Sequence, residues 1–400
     1  MQLSTCNSGD CQLKTEVLIM LPVKRLMARL LLCSAALGLP LAGHAATDDI
    51  EREFDVAPGG TLTVGSDAGE VDVNTWDQNR VRVLVRNPRG FAVSVEWVGN
   101  DVQVRADSEQ DFDWFNGSRI GFTVDVPRTY NINIDTGGGA IAIADLNGSI
   151  NADTSGGSIE VGNVTGGNVL VDTSGGSIDI GNVIGDVSAH TSGGSIEIGN
   201  ASGDIIADTS GGSIEVGEGG GRVELDTSGG TIRAGLAQGP LRADTSGGNI
   251  YLAGSRSRID AGTSGSNIVI ESSDGPVTAE SSGGSITVRA SVGPVRADTA
   301  GGNIELDMGN ASSSLGGEVE LDSAGGDITL RLPATVGVTI DSEVEVSRRS
   351  RGDYRIYTDF PLSIQEDDRS IIVRGDINGG GDRISLRTRN GDIDIVRVGN

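Results

Sequence analysis

The sequence predicts an all-β chain: a single-stranded parallel β-solenoid, or β-helix, with 18-residue coils and β-rich caps. Three observations predict it. One phrase recurs, as DTSGGSIEVG from Asp153, DTSGGSIDIG from Asp172, HTSGGSIEIG from His190, DTSGGSIEVG from Asp208 and DTSGGTIRAG from Asp226. Glycine supplies 62 of 400 residues and aromatics only 3%, so small and β-branched side chains must fill the interior. Between the glycine clusters, apolar and polar residues alternate with the period of two that marks a strand.

In chain order, residues 1–45 come first and differ in kind. Lys24, Arg25 and Arg29 precede an apolar run over residues 30–41, and Gly43, His44 and Ala45 follow. A basic start, an apolar stretch too short to span a bilayer and small residues before the cut read as a secretory signal peptide cleaved after Ala45. The residues before Met20 fit no signal peptide, which favours Met20 or Met27 as the true start. Cys33 fails as a lipoprotein site because Leu32 is not small and the apolar run before Cys33 is too short.

Cys6, Cys11 and Cys33 all lie in this segment, as do both lysines, Lys14 and Lys24. The mature chain then holds 26 arginines against 54 carboxylates, a net charge near −28. Export without disulfides leaves stability to repetitive packing and backbone hydrogen bonds. Such a surface repels nucleic acid and anionic lipid and attracts cations or basic partners. No later stretch is long and apolar enough to span a bilayer as a helix.

Residues 46–130 alternate as TLTV, EVDVNTW, RVRVLVR, FAVSVEW and DVQVRA, outside the 18-residue rhythm, and hold Trp76, Trp97 and Trp114. They read as an N-terminal cap with a core of its own, covering the apolar end and unpaired edge that a solenoid leaves.

Residues 131–332 are the repeat. The hydroxyl residues Thr136, Thr154, Thr173, Thr191, Thr209, Thr227, Thr245, Thr263, Ser281, Thr299 and Ser323 are separated by 18, 19, seven times 18, and finally 24 residues. Gly166-Gly167 accounts for the 19, and an inserted MGNASSSLGG for the 24. In the unit from Val183, the inward set is Val183, Val187, Ala189, Thr191, Ile196 and Ile198, with Ser188, His190 and Glu197 outward. Two short strands and three turns in 18 residues make one coil, whose strands pair in parallel with their equivalents one coil away. Ten coils at about 4.8 Å each give a rod of roughly 50 Å. Left-handed β-helices place an apolar residue every six positions, but His190 stands six before Ile196, so the right-handed bias of parallel crossovers decides the hand. Residues 333–400 read as further β coils and a C-terminal cap, through GVTIDSEVEVS, RSIIVRG and RISLRTRNGDIDIV.

The order FDV-APGG-TLTV, GEVDVNTWD, TVDVPRTYNINIDTGGGAI, many TSGGSIEV repeats and a closing GDRISLRTRNGDIDI resembles the bacterial "putative-adhesin" family of exported β-strand-repeat proteins, a family of unknown function. The likeness covers nearly all of the mature chain. It implies the repetitive β fold, with adhesion inferred from shape and export, and it brings no catalytic or binding residues.

The chemical inventory excludes most enzymes. Without lysine after Lys24 there is no GxxxxGK[ST] phosphate loop, and without cysteine no thiol nucleophile or thiolate zinc site. His190 is the mature chain's only histidine and occupies an aspartate slot, so it reads as a solvent-facing substitution. Paired carboxylates could serve a polysaccharide-cleaving β-helix, but Tyr251 is the only aromatic between Asn131 and Leu332, so no sugar platform is evident. GGSIEVGNV lacks ligands of the calcium-binding nonapeptide, and the two RGD strings at Arg351 and Arg374 are compositional.

No catalytic, cofactor-binding or metal-ligating residue is assigned, and no cofactor. The expected role is non-enzymatic: adhesin-like or structural binding of a protein or polysaccharide ligand of the envelope, in the periplasm or at the cell surface. A polysaccharide-acting enzyme and an end-to-end filament are the rivals. One row, Asp153, Asp172, His190, Asp208, Asp226, Asp244, Glu280 and Asp298, repeats once per coil. Carboxylates about 5 Å apart repel by roughly 0.9 kcal/mol even in water. A calcium ladder could offset this. The reading adopted is an Asx-turn, in which each aspartate accepts from the following amides and Asp226→Ala costs about 1 kcal/mol.

Overall fold

The computed structural model describes residues 49–109, 120–309, 311, 314–347 and 353–399, all within the compact unit Thr47–Asn400. The signal-peptide reading, Trp114, and Arg351 and Gly352 of the first RGD lie outside the described residues. Every described element is β, and no described helix is long and apolar enough to cross a membrane.

Each repeat contributes a five-residue strand, a turn and a three-residue strand. Ile150–Thr154 pairs in parallel with Val169–Thr173, that strand with Val187–Thr191, and so on to Val319–Ser323. The short strands form a second face, from Ile141–Ile143 through Ile159–Val161 to Ile328–Pro333. Alternation decides which side chains go in. Val183, Val187, Ala189, Thr191, Ile196 and Ile198 are all buried, while Glu197 is exposed. One continuous apolar core results, in which each buried isoleucine or valine contributes about 1.5–3 kcal/mol.

Polar ladders hold the corners. Asn182 Nδ2 donates to Asn163 Oδ1 at 3.0 Å, and the amide of Asn200 donates to Asn182 Oδ1 at 3.0 Å. Ser195 and Ser213 use their amides likewise on Ser177 Oγ and Ser195 Oγ. The second glycine of each phrase has a steric reason. A Cβ on Gly248 would fall inside the carbonyl of Gly230 and lie 2.7 Å from the amide nitrogen of Thr231. Ser266 holds the same place one coil on, and there its hydroxyl donates to the carbonyl of Gly247 at 2.8 Å.

The extra residue of the 19-residue gap lies between Val164 and Val169, since Leu146 pairs with Val164 but Ile150 with Val169. Gly166, at φ 78°, takes up the slack there.

The caps do not follow chain order. Thr61–Ser66 lies between Asn131–Thr136 and Asp101–Ser108, parallel to both. Glu70–Trp76 lies likewise between Ile141–Ile143 and Gly121–Pro127. Antiparallel strands then finish the end: Phe91–Val98 on Asp101–Ser108, Arg80–Arg86 on Gly121–Pro127, and Ile50–Asp55 on Arg80–Arg86. The other end repeats the device. Asp382–Arg389 sits between Val319–Ser323 and Val338–Glu345, and Ile393–Val398 between Ile328–Pro333 and Ile356–Thr358. Ser370–Ile377 and Ser363–Asp367 complete it antiparallel. Trp76 and Trp97 do not make the separate core that the sequence suggested. Trp97 is 50% exposed and Trp76 partly buried, and the cap's valines, Phe122 and Tyr130 continue the core of the repeats. Parallel pairing of the caps onto the coils leaves no seam at which a second core could form.

Candidate functional site

The outward faces are where this chain can meet a partner. On the five-residue strands, one outward column runs Asp135, Asp153, Asp172, His190, Asp208, Asp226, Asp244, Gly262, Glu280, Asp298 and Asp322, each opposite the next. Arg387 closes it. The column beside it runs Asn151, Leu170, Ser188, Ile206, Glu224, Arg242 and Asp260.

The aspartate row does not fix the turn, which corrects the sequence reading. The hydroxyl one residue later does. Thr227 Oγ1 donates to the Gly212 carbonyl at 2.8 Å and accepts from the Gly230 amide at 3.2 Å. Thr191, Thr209 and Thr245 repeat the pattern, and Ser281 bridges the Ser266 carbonyl and the Gly284 amide. The reason is alternation: the threonine points into the corner where the glycine amide lies, while the aspartate before it points to solvent. Thr227→Val should therefore cost about 1–3 kcal/mol, because it strands two buried backbone groups. Asp226→Ala and Asp226→Asn should both be neutral or slightly stabilising. Chemical denaturation of the three variants checks this, and equal losses for Thr227→Val and Asp226→Ala would restore the Asx-turn.

The row also sets a pH response. Burial, then repulsion from Asp208, raises the Asp226 carboxyl above its ordinary value. Burial, then Asp172 and Asp135, does the same for Asp153. At Asp244 burial prevails over the opposing pull of Arg242. A carboxyl raised by folding holds its proton more tightly in the fold. Its effect is therefore to add stability as pH falls and to remove it as pH rises through the raised value. Asp341, held low by Arg374, and Asp382, held low by Ser314, act oppositely and only at lower pH. The melting temperature should thus rise between pH 7 and about pH 4 before acid unfolding. Asp153→Asn with Asp226→Asn should shrink that rise.

Gly262 interrupts the row. Where neighbours carry a carboxylate it carries nothing, and a groove of about 570 Å³ opens there, lined by Asp226, Asp244, Glu280, Asp298 and threonine and serine hydroxyls. Asp244 is paired with Arg242 at 2.8 Å. Such a lining can hold cations and hydrogen-bond hydroxyls. Among the described residues no three His, Cys, Asp or Glu side chains converge as metal ligands.

Of the other residues singled out, His190 is partly buried, with Nε2 3.0 Å from Ser188 Oγ, and stands between Asp172 and Asp208 in register. Tyr251 lies on the short-strand face beneath Arg233, 5.2 Å from its guanidinium. The second RGD lies within the strand Ser370–Ile377, where Arg374 pairs with Asp341 and Asp376 accepts from Thr339. It is a sheet segment, so its residues are committed to the cap. One signal was missed: residues 129–221 contain no arginine or lysine, but 12 aspartates and glutamates. In later coils arginines pair with carboxylates, within a coil at Arg242–Asp244 and Arg258–Asp260 and between coils at Arg289–Glu271 and Arg296–Glu320.

A family model described as Toastrack DUF4097 matches residues 61–396. Among solved structures, a "putative cell adhesion protein" from Clostridium sporogenes is 9% identical, with 88% of this chain and 100% of that chain covered and a TM-score of 0.16. A "putative adhesin" from Bacteroides fragilis is 13% identical, with 88% and 97% covered and a TM-score of 0.19. No curated protein matches.

Proposed function

The chain belongs to the Toastrack DUF4097 family, and from that premise we propose that it is an exported, non-enzymatic β-solenoid that binds an envelope or surface ligand. In this reading it is a right-handed coil of 18 residues per turn, acting in the periplasm or at the cell surface after cleavage at Ala45. The observation that carries it is the in-register display of outward side chains. Rows such as Asp208, Asp226 and Asp244 present repeated groups on flat faces, which suits distributed binding better than chemistry at one point. Charges on two edge strands, Glu51, Glu53 and Asp55 at one end and Glu366 and Asp367 at the other, oppose end-to-end stacking, whereas exposed Trp97, Val98 and Tyr357 on the other two edge strands do not.

A second reading, polysaccharide cleavage, is favoured by the Gly262 groove, whose Asp244 and Glu280 flank the gap. One experiment separates the two. Full-length chain is expressed with its own N-terminus, and the processed protein is recovered from periplasm or medium with its mass determined. It is then passed over immobilised envelope polysaccharides and envelope proteins. Retention without release of oligosaccharides, by a chain beginning at Ala46, is expected. Cytosolic full-length protein would overturn export. Oligosaccharide release abolished by Asp244→Asn would install the enzyme.

A further inference from the structure

Leu170 and Ile206 are large aliphatic side chains on the outside of the five-residue strands, 48% and 38% exposed. Leu170 pairs with Ser188 and Ser188 with Ile206, so the two stand two coils, roughly 10 Å, apart on one flat face. The short Ser188, tied to His190, leaves a dip between them. Among the described residues none covers this face. Alternation normally gives such positions to polar residues, and Asn151 and Glu224 hold the places on either side. A single exposed aliphatic needs no explanation, so the case rests on two of them sharing one face beside an unbalanced charge column.

Charge complementarity identifies the occupant. Asp153, Asp172 and Asp208 line the adjacent column, and they belong to residues 129–221, where no arginine or lysine balances them. Farther along, arginines within the same face neutralise the carboxylates, as Arg242 does for Asp244 at 2.8 Å. Nucleic acid and anionic lipid are repelled by this field, and a neutral polysaccharide would use neither the charge nor the methyl groups. A protein segment carrying both cations and apolar side chains uses both.

We propose that the face bearing Leu170, Ser188 and Ile206, flanked by Asp172 and Asp208, docks a basic amphipathic segment of a partner protein. This rests on the reading of the chain as a binder and names its face and partner class. Apolar side chains of the segment settle over Ser188 between Leu170 and Ile206, while its lysines or arginines meet the aspartate column. Association is steered by charge and so weakens with salt, and the aliphatic contact supplies selectivity.

The test uses the full chain and three synthetic peptides of equal length: alternating lysine and leucine, alternating lysine and serine, and alternating glutamate and leucine. Binding is followed by fluorescence anisotropy at two salt concentrations. The lysine-leucine peptide should bind best, and Leu170→Ser with Ile206→Ser should weaken it about tenfold. Asp172→Asn with Asp208→Asn should do the same and flatten the salt dependence. Asp298→Asn with Asp322→Asn, on the arginine-bearing part of the face, should leave it within about twofold. Equal binding of the two lysine peptides, or wild-type affinity in the serine variant, would reduce the face to a general polyanion and overturn the proposal. No peptide binding, with envelope ligands still retained by the full chain, would overturn this face while leaving the binder reading intact.

Discussion

Removing residues 382–400 is expected to release the whole of residues 334–381 from the fold while the repeats stay folded. Asp382–Arg389 is the strand that joins Val319–Ser323 to Val338–Glu345, and Ile393–Val398 joins Ile328–Pro333 to Ile356–Thr358. Without them, the antiparallel strands Ser370–Ile377 and Ser363–Asp367 hang from a strand that has lost its only parallel partner. Buried Ile384, Leu386, Ile393 and Ile395 leave with them. At about 1.5–3 kcal/mol each, those four alone represent roughly 6–12 kcal/mol, far more than a local unit of this size retains. Limited proteolysis with mass mapping reads the outcome: cleavage throughout residues 334–381, with the segment 120–309 protected. A truncated chain that stays protected up to residue 381 would mean that the coils stack in chain order after all.

Deleting residues 208–225 should leave a folded, shorter stack, whereas deleting residues 208–216 should unfold several coils. The whole-coil deletion brings Ala207 onto Asp226, so Thr191 meets Thr227 where it had met Thr209. Every inward aliphatic, every glycine turn and every serine ladder again faces its own kind. The half-coil deletion joins Ala207 to Gly217, which removes the turn Ser210-Gly211-Gly212-Ser213 and puts the outward Glu218 in the buried place of Thr209. An uncompensated buried carboxylate costs several kcal/mol, and each coil supports its neighbours, so the damage spreads. Circular dichroism melts decide it. Matching melting temperatures for the two deletions would refute a coil of this length.

The sequence by itself determined the repeat. Strict spacing of Thr154, Thr173, Thr191 and their successors, with alternation in units such as Val187-Ser188-Ala189-His190-Thr191, already specifies inward and outward side chains. Local chemistry suffices there because each strand pairs with its near neighbour in the chain, and period two admits one buried face. The arginine gap before Arg222 was equally legible as a count, but its meaning depended on which aspartates share a face with Leu170 and Ile206.

Only the tertiary structure decided two matters. One is which polar group holds the turn. Asp226 and Thr227 are adjacent and both can accept an amide, and only the direction of each side chain at the corner separates them. The other is the order of the end coils. Thr61–Ser66 and Asp382–Arg389 pair with strands far away in sequence, in place of the coil that the chain writes next. No local pattern encodes that choice. It follows from the free edge and uncovered apolar layer at each end of a parallel stack, which a returning coil and an antiparallel hairpin close together.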